Sequence, residues 1–231
     1  MPISSELMYA ILAMDSYNRG YNPGITLTGT QVGNATIGVD SAVLNTELNT
    51  DPNDPNRIDQ TAGFYAVAYQ WNDDSIISYR GTDNPGLWAD DISGGSDVWN
   101  GYGLGVGSPY AEQGRLAAEF YQAVTGTQIS DPLAASATLT GHSLGGGLAG
   151  LIGALYHEDA VLFDNMPFEL AATSVCEHAN FGDAVWQPLR DPLSNGLSPW
   201  APLIARHFQA GSAVTGECLA AFRSLQHTPV T

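Results

Sequence analysis

The segment ATLTGHSLGGGLAGLIGALYH, residues 137–157, constrains the fold of this chain more than any other. ATLTGHS has the β-branched, apolar composition of a buried strand, and LGGGLAGLIGALYH has the length and small residues of a helix. No loop separates them, so the strand must turn directly into the helix at Ser143. A bend that tight crowds the strand against the helix, and the positions two before and two after it must lack bulky side chains; Gly141 and Gly145 occupy them. Gly146, Gly147, Ala149, Gly150 and Gly153 then predict a helix lying close against a sheet. The N-terminus of that helix directs backbone N–H groups and a positive dipole end at the serine. In a chain with 26 glycines the bare pattern G-x-S-x-G carries little weight. The strand before it and the helix after it make it the setting of a nucleophile elbow, in which Ser143 is exposed and activated for attack.

Elsewhere the periodicities are plain in places and faint in others. SSELMYAILAMDSYN (4–18) has helical spacing through Leu7, Met8, Ile11, Leu12 and Met14, with Ser4 or Ser5 as the cap. Residues 24–62 are polar, with strand-like fragments only at ITLT and AVL; DPNDPN lacks the glycine and glutamate of a calcium loop and reads as a solvated turn. GFYAVAYQW (63–71) and SIISYRGT (75–82) read as neighbouring strands joined by a tight turn. The glycine-rich NGYGLGVGS follows no strand and reads as flexible chain rather than a phosphate cradle. Residues 110–124 form a helix through Leu116, Phe120 and Val124, AVLFDNMPF (160–168) a further strand, and 200–209 and 216–225 helices. Strands alternating with helices over 110–168 predict an α/β class with a mainly parallel central sheet and helices on both faces.

With 231 residues, 44% hydrophobic, the chain suits one globular domain. The formal net charge of −17 repels phosphate backbones and excludes nucleic acid as a partner. Only 13% of residues are charged, which leaves surface for contact with apolar substrates. MPISSELMYA has neither a basic region nor an apolar core ahead of a cleavage site, so the chain reads as soluble without an N-terminal signal peptide. Cys176 and Cys218, with no metal-type spacing, are either a pair or two buried thiols, and no metal or cofactor is expected.

A nucleophilic serine requires donors for the oxyanion that forms on attack. The Leu144 N–H is one, and a loop after another strand must bring the second. YRGTD (79–83) follows such a strand, and Thr82 offers both its N–H and its hydroxyl. YRGT, a tryptophan six residues after the threonine, a Gly-aromatic stretch leading into a helix, and LTGHSLGG resemble, in order and spacing, the fungal-type class 3 lipases of the α/β-hydrolase superfamily. LAMDSYNRGYN and VLFDNMPFE resemble a bacterial branch of that family more closely. The resemblance covers residues 4–168. It implies that Ser143 is the nucleophile, that Thr82 and Leu144 form the oxyanion hole, and that Asn84–Ile92, around Trp88, is a lid. The implied substrates are acylglycerols or related esters, met at a lipid–water interface.

The serine also needs a histidine base and a carboxylate to orient it; the resemblance to the α/β-hydrolase superfamily implies the chain order nucleophile, acid, histidine. His142 belongs to the elbow, and His157 closes the following helix. FGDAVWQPL resembles the class 3 stretch that carries the acid, which makes Asp183 the candidate, with Asp164 as the alternative. His227, last in the chain, is the candidate base, ahead of His207. The bacterial branch continues past a TPV-like strand to a C-terminal histidine segment, whereas this chain ends at HTPVT. The reading therefore divides between an internal triad and a catalytic domain truncated at its C-terminus, whose acid and base lie past residue 231. A non-catalytic binding module on the same fold is the rival from another class, and an acyltransferase or peptidase is a third reading.

Overall fold

The computed structural model describes residues 3–44, 58–83, 97–106, 112–126 and 137–172. Its first element is helix α1, Ser5–Asp15, capped by the Ser4 side chain, which accepts the Leu7 N–H. Met8, Leu12 and Ala13 of α1 are buried, whereas Leu7, Ile11 and Met14 remain partly exposed, so only one edge of the apolar stripe faces the core. A 3₁₀ turn, Ser16–Asn18, ends the helix.

Six strands form one sheet in chain order: β1 Gln31–Val32, β2 Ala35–Asp40, β3 Ala66–Trp71, β4 Asp74–Tyr79, β5 Thr138–His142 and β6 Ala160–Phe163. The expectation of a mainly parallel sheet is corrected here. The pairings β1–β2, β2–β3 and β3–β4 are antiparallel, and only β4–β5 and β5–β6 are parallel. Connection length explains the mixture. Val32 pairs with Ala35 and Trp71 with Asp74, so each connection is a two-residue turn that can only reverse the chain. Gly33 at φ 60° and Asn72 at φ 54° supply the left-handed residues such turns require. Parallel neighbours need crossovers, provided by α4 (Glu112–Thr125) before β5 and α5 (Leu144–Tyr156) before β6. Two short helices, α2 (Ile58–Thr61) and α3 (Asp97–Asn100), complete the set, the latter followed by a 3₁₀ helix, Tyr102–Val106.

Helices cover both faces, as strand alternation shows. Val67, Tyr69, Trp71 and Ile76 pack with Met8 and Leu12 of α1. Ala66, Ala68, Ile77, Tyr79 and Leu139 pack with Leu116 and Phe120 of α4 and Leu148 and Ile152 of α5. Each buried leucine, isoleucine or phenylalanine contributes roughly 1.5–3 kcal/mol of burial free energy. The architecture is α/β with a mixed sheet.

Neither ITLT (25–28) nor AVL (42–44) lies in a strand. Side chains from the end of α1 take the backbone groups of the first: Asn18 Oδ1 accepts the Ile25 N–H at 2.9 Å, and Arg19 Nη1 donates to Gly29 O at 2.9 Å. Arg19 is itself held by Asp15 through Nε (2.9 Å) and Nη2 (3.0 Å), and Tyr69 donates to the same buried carboxylate at 2.8 Å.

Candidate active site

Tyr79 pairs with Gly141 at the carboxyl ends of the parallel strands β4 and β5, so the Arg80–Asp83 loop and the Ser143 bend leave the sheet at the same edge. Crevices at such edges are where α/β sheets present their ligands.

Ser143 has φ 56° and ψ −125°, a conformation costly for any residue with a side chain, and its hydroxyl makes no capping bond to the helix it opens. The strain is held from several sides. Ser143 N–H donates to Phe163 O at 3.1 Å, while Ser143 O accepts from Met166 N at 2.9 Å and Gly147 N at 3.1 Å. A Cβ at Gly141 would lie 2.4 Å from the Gly145 backbone, and one at Gly145 would lie 2.1 Å from Tyr79 O. The two glycines flanking the serine are thus sterically required, as the sequence pattern implies. Gly153 meets the sheet as expected, its Cβ position lying 3.3 Å from Ala160 Cβ, whereas three other glycines of α5 make a different contact. Gly146, Gly147 and Gly150 face Asn165, Met166 O and the Phe168 ring, so the chain leaving β6, rather than the sheet, approaches them closely.

Thr82, the other expected oxyanion residue, is half-buried, and its hydroxyl donates to the Tyr102 phenol oxygen at 3.2 Å. The Leu144 side chain is buried while its N–H opens α5. The loop carrying Thr82 is supported by buried charge. Arg80 stacks over the Tyr21 and Tyr65 rings at 4.4 and 4.8 Å from their centroids and donates through Nη1 to Tyr21 O at 2.7 Å. Its Nη2 lies 2.9 Å from Asp83 Oδ2, but out of line for a hydrogen bond. Burial pushes the Asp83 carboxyl up to about 6, Arg80 pulls it down, and Asp97 pushes it up further. Asp97, fully buried, accepts the Asp83 N–H at 3.0 Å through Oδ2 and Gln113 Nε2 at 2.7 Å through Oδ1. Gln113 Nε2 also donates to Ala62 O at 2.9 Å, tying the loop to the core.

The glycine-rich NGYGLGVGS is well packed over residues 101–106. A Cβ at Gly101 would lie 2.6 Å from Leu144 Cδ2 and 2.9 Å from Asp97 O. Gly101 lets the 3₁₀ turn close against the elbow, where Tyr102 accepts from the Thr82 hydroxyl. No residue signal pointed to Tyr102, Asp97, Gln113 or Tyr17 as supports, because each acts across long sequence separations.

His142 meets the expectation of an elbow residue. Its Nδ1 lies 3.0 Å from the Tyr17 hydroxyl. His157 takes φ 61° and closes α5 with its backbone N–H on Gly153 O, its side chain exposed. Asp164 is exposed at the carboxyl edge of β6, with φ 45°. Asp183, His178, His207, His227, Cys176, Cys218, DPNDPN and the Asn84–Ile92 segment lie outside the described residues.

Comparisons with protein families, curated proteins and solved structures find no match to this chain. Among the described residues no helix is long and apolar enough to cross a membrane, and no group of three His, Cys, Asp or Glu could hold a metal ion.

Proposed function

We propose that this chain is a serine carboxylic-ester hydrolase of the α/β-hydrolase type, related to the class 3 lipases, that cleaves acylglycerols or similar esters through an acyl-enzyme on Ser143. The observation that carries the reading is the Ser143 backbone, φ 56° and ψ −125°, at a strand-to-helix bend that only glycines at 141 and 145 permit. Strain of this kind persists where the surrounding structure over-determines it, and it aims the hydroxyl out of the bend. The Thr82 loop at the same sheet edge supports the assignment of an oxyanion hole.

In this reading Ser143 Oγ attacks the ester carbonyl carbon as its proton passes to a histidine, His227 or, as the alternative, His207. The carbonyl oxygen, now an anion, is held by the N–H groups of Thr82 and Leu144, with the Thr82 hydroxyl as a further donor once it turns from Tyr102. The alkoxide leaves with the proton from the histidine, and water then hydrolyses the acyl-enzyme by the same steps reversed. Asp183, or Asp164, orients the histidine. Asn84–Ile92 would be the lid, and transient contact with a lipid–water interface would deliver the substrate.

Ser143→Ala is expected to lower hydrolysis of a chromogenic short-chain ester by about 10³-fold or more and to abolish fluorophosphonate labelling. Equal rates in variant and parent would remove the enzyme reading. A folded parent that neither turns over nor labels would instead be a binding module or a fragment lacking its base.

A further inference from the structure

We propose that Tyr17 is a positioning residue: its hydroxyl sets the separation between the Ser143 bend and the Thr82 loop. The proposal rests on the reading of Ser143 as nucleophile and Thr82 as oxyanion donor. The ladder between β4 and β5 runs only to Tyr79 and Gly141. Past that pair one chain enters the oxyanion loop and the other the elbow, and the strand ladder no longer joins them.

The Tyr17 phenol occupies the gap. Its oxygen lies 3.0 Å from His142 Nδ1 and 3.2 Å from His142 O, immediately before Ser143. The Gly81 backbone, immediately before Thr82, closes on the same oxygen. Fit is tight on that side too, since a Cβ at Gly81 would lie 2.0 Å from the hydroxyl and 2.5 Å from His142 O. A phenol has one proton and two acceptor sites. Donation to His142 O and acceptance of a proton from His142 Nδ1 are made at once, with the Gly81 backbone packed against the same oxygen. The His142 ring packs edge-on to Tyr17 at 5.9 Å, which restrains its rotation. Burial pushes the Tyr17 hydroxyl up to about 12, so the bridging proton stays in place through the neutral range. Tyr17 in turn sits in the 3₁₀ turn that ends α1, anchored on the other face of the sheet.

A nucleophile displaced from its oxyanion donors by a fraction of an ångström loses transition-state stabilisation while substrate binding is little changed. Tyr17→Phe keeps the ring and deletes the bridge. We expect kcat for a short-chain p-nitrophenyl ester to fall about tenfold with KM within about twofold, and affinity for a trifluoromethyl ketone to fall by the same factor as kcat. Tyr121→Phe is the control. It deletes another buried phenol hydroxyl, which donates to Glu158 at 2.6 Å near the opposite end of β5, and it should leave both kinetic constants at parental values. His142→Leu removes one partner but leaves the Tyr17 bond to the backbone carbonyl of that residue, so its kcat should fall between parent and Tyr17→Phe. Hydrogen exchange gives a readout independent of turnover. Amides of residues 80–83 and 141–145 should exchange faster in Tyr17→Phe and not in Tyr121→Phe. Unchanged exchange in these two segments overturns the proposal, as does a kcat loss that Tyr121→Phe reproduces. A parent that neither hydrolyses esters nor labels at Ser143 overturns the hydrolase reading instead, and the exchange comparison then decides the bridge by itself.

Discussion

The two loops at the carboxyl edge of the sheet are built by opposite means. The Ser143 bend is shaped by close backbone packing: Gly141 and Gly145 admit no side chain against Gly145 and Tyr79, and Phe163 of the next strand and Met166 just past it bond to the serine backbone. The Arg80–Asp83 loop has little local determination. Its shape comes from Arg80 stacked on Tyr21 and Tyr65, Asp97 accepting the Asp83 N–H, Gln113 behind Asp97, and Tyr102 at the Thr82 hydroxyl. The first loop depends on excluded volume, which is insensitive to pH and tolerates no substitution. The second depends on buried polar groups, which titrate and can be changed one at a time. In the proposed hydrolase reading, a site built this way has a rigid nucleophile and a tunable oxyanion loop.

The contrast can be broken most severely at the bend. Gly145→Ala brings a methyl group to within 2.1 Å of Tyr79 O and 2.8 Å of the Arg80 carbonyl carbon, both backbone atoms that cannot swing aside. We expect a loss of about 3 kcal/mol or more, read from urea unfolding. A loss under about 1 kcal/mol would mean that the bend is not over-determined by sterics.

On the other loop the expected effect is smaller and divides differently. Asp97→Ala leaves the Asp83 N–H and the Gln113 amide without this acceptor in a buried setting, which costs about 2 kcal/mol. Because the Thr82 loop loosens while the elbow does not, ester turnover should fall further than the stability loss alone explains. Turnover unchanged in a stably folded Asp97→Ala protein would detach this network from the site.

The smallest effect is the pH dependence of the same loop. The Asp83 carboxyl is held at about 6 in the folded state, above the ordinary aspartate value of about 3.9. Between those values the folded chain binds more protons than the unfolded one, so stability falls as pH rises. The contribution of neutral Asp83 is fully present below about pH 4 and lost as pH passes about 6. Arg80, Asp97, Tyr17 and Tyr21 are the charged and titratable groups facing it. Measured by urea unfolding at each pH, the parent should lose about 1 kcal/mol relative to Asp83→Asn between pH 4 and pH 7, after allowance for solvent screening. A flat difference across that range would show that the carboxyl titrates normally.

Helix α1, the β3–β4 hairpin, β5, α5 and the bend between them are all legible from periodicity and glycine placement, because each is governed by contacts within a few residues. The mixed sheet is legible only in part. The Asn72–Asp73 turn announces itself between two aromatic and β-branched runs, whereas β1 has two residues and β2, though six long, lies in a polar stretch with no apolar run to mark it. Ser143 and Thr82 follow from motif and spacing, but their supports do not. Tyr17 reaches His142 across 125 residues, and Asp97 reaches Asp83 across 14.

Where the chain bends can be read from residue order, because the glycines at 141 and 145 mark the positions at which strand and helix crowd together. Which phenol, carboxylate and amide meet at that bend follows from the folded arrangement alone. Hydrogen bonds between distant residues depend on the register of strands and the seating of helices, and no local pattern encodes those.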